Sequence, residues 1–137
     1  MSRLERAIAI ALEAHAGQTG RSGEPYVLHP LRVMLRLHPE DDRIAGVLHD
    51  VVERSRKWTL KRLAAAGFSK KIVDAVDALS RREGETYDDY IRRAAANRVA
   101  CRVKIADLED KLTSYPRKRR VPRYRKALAA LRARSDP

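Results

Sequence analysis

Four side chains in this sequence have the types and positions to bind a divalent metal ion together. His49 and Asp50 are adjacent in one apolar helical pattern, and Asp107 lies within the apolar stripe of another. His29 stands at the entrance of a predicted helix. Imidazole nitrogens and carboxylate oxygens suit Mn, Fe or Zn. Glu53 follows His49 by about one helical turn, so its carboxylate could orient or deprotonate a water at such an ion.

The remaining histidines and the single cysteine have simpler interpretations. His15 ends an apolar stripe and is predicted to be a satisfied core histidine, whereas His38 is predicted to lie at a solvated helix end. Cys101 lies in an apolar run and is predicted to be a small buried hydrophobe. One cysteine excludes an internal disulfide framework and fits a reducing cytoplasm. The sequence shows neither a targeting segment nor a membrane span, so we expect a soluble cytoplasmic protein.

The composition favours one folded, strongly basic domain. The chain has 137 residues, of which 44% are hydrophobic and 35% are charged, and 30 Lys and Arg against 18 Asp and Glu give a net charge of +12. This length predicts a single domain over residues 1–137. The positive charge favours an anionic partner such as a nucleotide, a nucleic acid or an anionic lipid, and it cannot choose among them.

The elements that must position these side chains are predicted to be helices. Ser2 and Glu5 form a capping box before a first helix, which ends at Gly17 and is followed by an ordered loop. No alternating strand pattern of useful length occurs, so the predicted fold is all-α. The further predicted helices are Leu31–Leu37, one from an Asp41 or Asp42 cap to about Arg56, Thr59–Gly67, one opening at Ser69, one or two from Thr86 to about Leu112 with Asn97 as the break, and Tyr124–Arg132.

Three segments of the chain resemble the successive motifs of the RelA/SpoT-type HD hydrolases. They are HAGQTGRSGEPYVLHP at residues 15–30, LHDVVE at residues 48–53 and VKIADL at residues 103–108. The motifs are long, ordered and well separated, and the resemblance covers about residues 3–133. It implies an all-α HD-domain helical bundle.

The resemblance also implies a reaction and a set of site residues. Members of that family remove the 3′-pyrophosphate of guanosine tetraphosphate or pentaphosphate (ppGpp, pppGpp) with a metal-activated water, and the implied cofactor is a divalent metal, Mn²⁺ first. Glu53 falls on an acidic position that handles the attacking water. The implied metal ligands are His29, His49, Asp50 and Asp107. For the charge on the phosphates, this chain's own cations Arg21, Lys104 and Lys111 are the expected binding residues.

Three positions depart from the family pattern and leave alternatives open. Arg54 replaces the second acid after the valine pair, Gly20 stands where an arginine contacts the nucleotide, and Lys111 replaces an asparagine. One alternative is an HD phosphohydrolase of another phosphorylated nucleotide. Another is a weakly catalytic or non-catalytic protein that senses nucleotides or binds RNA through the basic segment 117–126. A small guanosine-type nucleotide is the favoured partner, and the sequence predicts no membrane partner.

Overall fold

A computed structural model describes residues 1–116 and 119–135 of the chain. These residues form nine α-helices and no strand, and an isolated bridge between Thr19 and Pro25 closes the loop after the first helix. The predicted all-α fold is confirmed. The helices are α1 (Arg3–Ala14), α2 (Leu28–Leu35), α3 (Glu40–Leu48), α4 (Val51–Arg54), α5 (Leu60–Ala65), α6 (Lys70–Ala78), α7 (Tyr87–Ala95), α8 (Arg98–Ser114) and α9 (Val121–Ser135).

Side-chain caps begin five of these helices where the sequence predicts them. At α1 the Glu5 N–H donates to Ser2 Oγ at 3.1 Å, and the Ser2 N–H donates to Glu5 Oε1 at 2.9 Å, which completes the capping box. Each such bond satisfies a backbone donor that has no partner inside the helix. The other four caps are Thr59, Ser69, Thr86 and Asn97.

The predicted third helix is present, but its continuous run to about Arg56 is wrong, because the chain breaks at His49 and Asp50. The His49 N–H donates to the Gly46 carbonyl at 3.5 Å, a tighter turn than an α-helix has, and α4 restarts at Val51. The predicted Asp cap is also wrong. Pro39 occupies the N-cap position, and Asp42 is instead buried against Arg102, whose Nε lies 2.5 Å from Asp42 Oδ2.

The second helix begins earlier than the predicted Leu31. The Leu28 N–H donates to the Pro25 carbonyl at 3.2 Å and the His29 N–H donates to the Tyr26 carbonyl at 3.0 Å, so the preceding turn already leads into α2. His29 therefore lies within the first turn of the helix, which fixes its backbone more firmly than a loop position would.

The core places α3 at the centre of the fold. It packs against α1, α2, α6 and α8, and its Ile44, Ala45, Val47 and Leu48 are fully buried. Helix α8 is buried along most of its length and carries Cys101, which is buried as predicted. The end of α3 thus lies against the middle of α8. No helix among the described residues is long and apolar enough to cross a membrane.

Arg93 fastens the loop between α6 and α7. Its guanidinium donates to Glu85 Oε2 at 2.6 Å and Oε1 at 2.9 Å, and to the Ser80 carbonyl at 2.8 Å. The same loop carries Arg81, whose backbone N–H donates to the Glu53 carboxylate. The loop therefore holds one of the candidate site residues in place.

We expect the contribution of Glu85 to stability to disappear in acid. Hydrogen bonds from Arg93 lower the pKa of Glu85 from 4.5 to about 2. Because the pKa is lower in the folded state, the pair stabilises the fold fully above a pH of about 4.5, and this stabilisation is lost as the pH falls toward 2. Urea unfolding should give a higher free energy of unfolding for the wild type than for Glu85→Gln above a pH of about 4.5. This difference should become smaller as the pH falls toward 2. A difference that does not change with pH would contradict the assignment.

Candidate metal centre

The four candidate ligands come together where the end of α3 meets α2 and α8. His29 Nε2 lies 2.7 Å from Asp107 Oδ1, and His49 Nε2 lies 3.5 Å from the same oxygen. His49 Nε2 also lies 3.2 Å from Asp50 Oδ2. Ligand atoms of His29, His49 and Asp50 all lie within 4.8 Å of one another, so these three residues could hold one metal ion.

The helix break orients His49 toward this cluster. Its Nδ1 lies 2.6 Å from the Gly46 carbonyl, which accepts a hydrogen bond from Nδ1–H, so Nε2 is the nitrogen that faces the carboxylates. His49 Nε2 is buried and makes no hydrogen bond with the described residues. A buried nitrogen without such a bond, aimed at two carboxylates, fits a metal ligand.

Asp110 orients His29 in the same way, and sequence reasoning did not assign it a role. Its Oδ2 lies 2.7 Å from His29 Nδ1, and its Oδ1 accepts a bond of 2.8 Å from Arg32 Nε. Asp110 is only 1% exposed. It follows Asp107 by three residues on one helix, so helical spacing could have revealed that the two carboxylates share a face.

The electrostatics of the cluster favour a cation. Burial lowers the pKa of His49, but Asp50 and Asp107 outweigh burial and raise that pKa to about 10. Burial also opposes ionisation of Asp50, yet the charge of His49 holds the pKa of Asp50 well below its usual range. The cluster therefore keeps its carboxylates charged, and a bound divalent ion would replace an imidazole proton.

Tyr26 links the first motif to the cluster. Its hydroxyl donates to Asp50 Oδ2, and its ring makes edge contacts with the rings of His15 and His29. Burial and the Asp50 charge raise the pKa of Tyr26, so the phenol stays protonated and keeps donating.

Glu53 lies next to the cluster but accepts a hydrogen bond from a different element, the backbone N–H of Arg81. Burial of the carboxyl raises the pKa of Glu53, although the Arg81 bond opposes the rise. A carboxylate whose pKa moves toward neutrality is suited to exchange a proton with water.

Two cavities open beside the cluster. The first, called the Tyr26 cavity here, has a volume of about 320 Å³, and the second, called the Lys104 cavity, about 220 Å³. Lys111, Arg120 and Tyr124 line both. His29 lines only the Tyr26 cavity, while Asp50 and Glu53 line the Lys104 cavity. The metal cluster therefore lies between two spaces that a phosphorylated molecule could fill.

The three predicted phosphate-binding cations are divided between these cavities. Arg21 is exposed and lines the Tyr26 cavity. Lys104 is only 4% exposed, and its Nζ lies 2.7 Å from Asp107 Oδ2. Lys111 Nζ lies 3.2 Å from the same oxygen. Together the two lysines help to lower the pKa of Asp107 well below its usual range, against the effect of burial.

The remaining predicted residues lie outside the cluster. His15 is buried, and its Nδ1 lies 3.1 Å from Gln18 Oε1; its Nε2 is buried without a hydrogen-bond partner among the described residues. His38 is exposed, as predicted. Of the basic segment 117–126, Arg120 and Arg123 line the Lys104 cavity, whereas residues 117 and 118 lie outside the described residues.

Sequence comparison decides the family. The HD domain family matches residues 7–132. The chain belongs to the HD domain family. Within the matched residues, His49 and Asp50 form a His-Asp pair at the break between α3 and α4. That the whole of residues 1–137 forms one HD-type domain stays a prediction.

This HD domain is similar in sequence to part of two larger bacterial proteins. It is 31% identical over 98 residues to the guanosine-3′,5′-bis(diphosphate) 3′-pyrophosphohydrolase of Vibrio cholerae, over 69% of this chain and 14% of that protein. It is 32% identical over 101 residues to the bifunctional (p)ppGpp synthase/hydrolase SpoT of Escherichia coli, over 71% of this chain and 14% of the relative. The HD domain thus spans about a seventh of these relatives, and its resemblance to the RelA/SpoT group is confirmed.

A solved structure has the same fold as this HD domain. It is described as a metazoan ortholog of SpoT that hydrolyzes ppGpp, and it superposes with a TM-score of 0.74 over 99% of this chain and 93% of the other. The two sequences are 17% identical, so this likeness supports the predicted HD-domain helical bundle.

Arg54, which departs from the family pattern, has a defined place in this HD domain. Its guanidinium carbon lies 3.6 Å from the centre of the Tyr26 ring, and its Nε donates to Gln18 Oε1 at 3.1 Å. Gln18 Nε2 donates in return to the Arg54 carbonyl at 2.8 Å. Arg54 therefore covers the tyrosine that bonds Asp50, and it adds positive charge to the wall of the Tyr26 cavity.

Proposed function

We propose that this HD domain is a metal-dependent phosphohydrolase that removes the 3′-pyrophosphate of ppGpp or pppGpp. The observation that carries the proposal is the buried His49 Nε2, which lacks a hydrogen bond to the described residues and faces the carboxylates of Asp50 and Asp107. The names of the Vibrio and Escherichia relatives support the substrate. We also propose a cytoplasmic location, with which a single free cysteine is compatible.

The residues present fit a divalent ion, and we propose Mn²⁺. His29, His49, Asp50 and Asp107 would hold it with two imidazole nitrogens and two carboxylates, a mixed set that Mn²⁺ accepts. When bound, the ion would lower the pKa of a water and draw charge from a phosphoryl oxygen. Asp110 and the Gly46 carbonyl each hold one histidine in the tautomer that leaves Nε2 available.

The protein's own residues account for the remaining chemistry. Glu53 takes a proton from the attacking water, whose oxygen bonds to the phosphorus attached to the 3′ oxygen of the ribose. The bond between that phosphorus and the 3′ oxygen breaks, and the 3′ oxygen takes up a proton. The products are a 3′ hydroxyl and pyrophosphate. Arg21, Lys104 and Lys111 supply positive charge for the phosphoryl oxygens.

The substrate assignment is tested by a panel of nucleotides. The protein is incubated with Mn²⁺ and with ppGpp, pppGpp, the adenine analogue or ordinary nucleoside triphosphates, and the products are separated by ion exchange. We expect the guanosine compounds that carry a 3′-diphosphate to be hydrolysed fastest. Hydrolysis of ordinary nucleoside triphosphates but not of ppGpp would favour the alternative that the protein is an HD phosphohydrolase of another nucleotide. No turnover, together with tight and strongly salt-dependent RNA binding, would favour the non-catalytic alternative.

Asp110 provides a test of how the metal ligands are held. We expect Asp110→Ala to weaken Mn²⁺ binding by about 10- to 100-fold, because His29 loses the carboxylate that fixes its tautomer. Asp110→Asn should recover part of the affinity, since its amide oxygen can still accept from Nδ1. Calorimetric titration with Mn²⁺ measures both. Asp89→Ala, at an exposed carboxylate on α7, is the control, and an Asp110→Ala affinity equal to that control would refute the role.

A further inference from the structure

Half of the residues that line the Lys104 cavity are cations. They belong to the loop after α6, to α8, and to the start of α9 with the residue before it. Its two lining carboxylates are Asp50 and Glu53, and the structure already gives each of them a partner. The five lining cations are Arg81, Lys104, Lys111, Arg120 and Arg123.

Only part of this positive charge is neutralised. Lys104 and Lys111 share one oxygen of Asp107, so two cations face one carboxylate. The Arg81 guanidinium donates to a neutral acceptor, the Glu85 carbonyl, at 3.2 and 3.3 Å. Arg123 forms no ion pair with the described residues. The cavity therefore has excess positive charge, and it suits a compact ligand with several negative charges.

Tyr87 adds a polar group that has no hydrogen-bond partner among the described residues. The guanidinium carbon of Arg123 lies 3.7 Å from the centre of its ring, and that of Arg81 lies 5.8 Å away. The Tyr87 hydroxyl is buried and makes no hydrogen bond with the described residues. A buried donor without a partner carries an energetic cost, which a ligand oxygen could relieve. The ring also holds the two guanidinium groups beside the cavity.

The neighbouring Tyr26 cavity differs in character. It is larger, and three tyrosines, Tyr26, Tyr115 and Tyr124, line it, which suits a nucleoside. The Lys104 cavity has room for a diphosphate and contains Glu53, which we assign to the attacking water. We propose that the Lys104 cavity is a pyrophosphate-binding site, in which Arg81, Arg123 and the Tyr87 hydroxyl contact the phosphoryl oxygens. Its place in the reaction, as the site of the 3′-diphosphate and of the product, rests on the proposed function.

Binding of inorganic pyrophosphate to the metal-free protein tests this site without any turnover. Calorimetry at fixed ionic strength compares the wild type with Arg123→Gln, Tyr87→Phe and a charge-matched control, Arg125→Gln. Arg125 lies on the same helix, is exposed and is absent from the cavity lining. We expect Arg123→Gln to weaken binding about tenfold through loss of a charged hydrogen bond, and Tyr87→Phe several-fold. Arg125→Gln should change the affinity less than about twofold, as an exposed charge does.

Three results would overturn the site: no pyrophosphate binding by the wild type, equal weakening by Arg123→Gln and Arg125→Gln, or orthophosphate binding as tight as that of pyrophosphate. Tyr87→Phe keeps the ring between the two arginines, so a loss of affinity there cannot come from lost packing. If pyrophosphate binds with the expected variant pattern but ppGpp is not hydrolysed, the pyrophosphate site is supported and the proposed function is refuted. If ppGpp is hydrolysed but pyrophosphate does not bind, the proposed function is supported and the pyrophosphate site is refuted.

Discussion

Asp107→Asn should remove both metal retention and turnover. Asp107 is fully buried, and its Oδ1 lies 2.7 Å from His29 Nε2, at the centre of the cluster. A neutral amide lacks the charge that a divalent ion needs from this position. The loss of metal affinity should exceed the 10- to 100-fold that is typical when a residue supporting a ligand is removed. Elemental analysis after purification without chelator, together with a ppGpp hydrolysis assay, measures both effects.

The same substitution also affects the fold, so a second variant is needed. Asn leaves Lys104 buried without its full counter-charge, and breaking a buried ion pair costs about 3–5 kcal/mol. His49→Ala removes a ligand without exposing a lysine charge, and it should lose metal and activity with a smaller loss of stability. Asp89→Asn, at an exposed carboxylate, should retain both. Normal metal content or normal activity in Asp107→Asn or His49→Ala would show that the ligand assignment is wrong.

Glu53→Gln should leave the metal bound and slow the reaction. The Gln side-chain oxygen can still accept from the Arg81 N–H, so the loop keeps its anchor, but an amide cannot take a proton from water. We expect turnover to fall by about 10²- to 10⁴-fold, the usual contribution of a general base. Metal content and KM for ppGpp should change little, and steady-state kinetics separate the two parameters.

The pH dependence gives a second signature of Glu53. Burial raises its pKa above the ordinary value of 4.5, and only the deprotonated form can act as a base. The wild-type rate should therefore rise with pH through that raised pKa, and Glu53→Gln should lack this limb of the profile. Glu109→Gln, at a surface carboxylate paired with Arg132, is the matched control. A Glu53→Gln enzyme with the wild-type rate would exclude Glu53 as the base.

Local chemistry explains why much of the fold was predictable. Cap residues such as Thr59, Ser69 and Asn97 act within three residues of their own position, so the sequence alone places them. Apolar spacing likewise identifies the buried faces. The break at His49 and Asp50 was missed, because the apolar pattern runs through it without a proline or glycine at the break.

In the site, sequence motifs located the candidate metal ligands, but contacts between residues distant in the chain were not predictable. The motifs located His29, His49, Asp50 and Asp107, and the structure brings all four together. Asp110 was missed, because its partner His29 is 81 residues away in the chain. The stacking of Arg54 on Tyr26 was also missed, since a departure from a motif does not indicate where the new side chain will pack.

The most direct test of the central claim is hydrolysis of ppGpp in water enriched in heavy oxygen, with the Mn²⁺-loaded protein and mass analysis of the products. Attack on the phosphorus attached to the 3′ oxygen predicts GDP without label and pyrophosphate with one heavy oxygen. Label in orthophosphate, label in the nucleotide, or no turnover by metal-loaded protein would contradict the account.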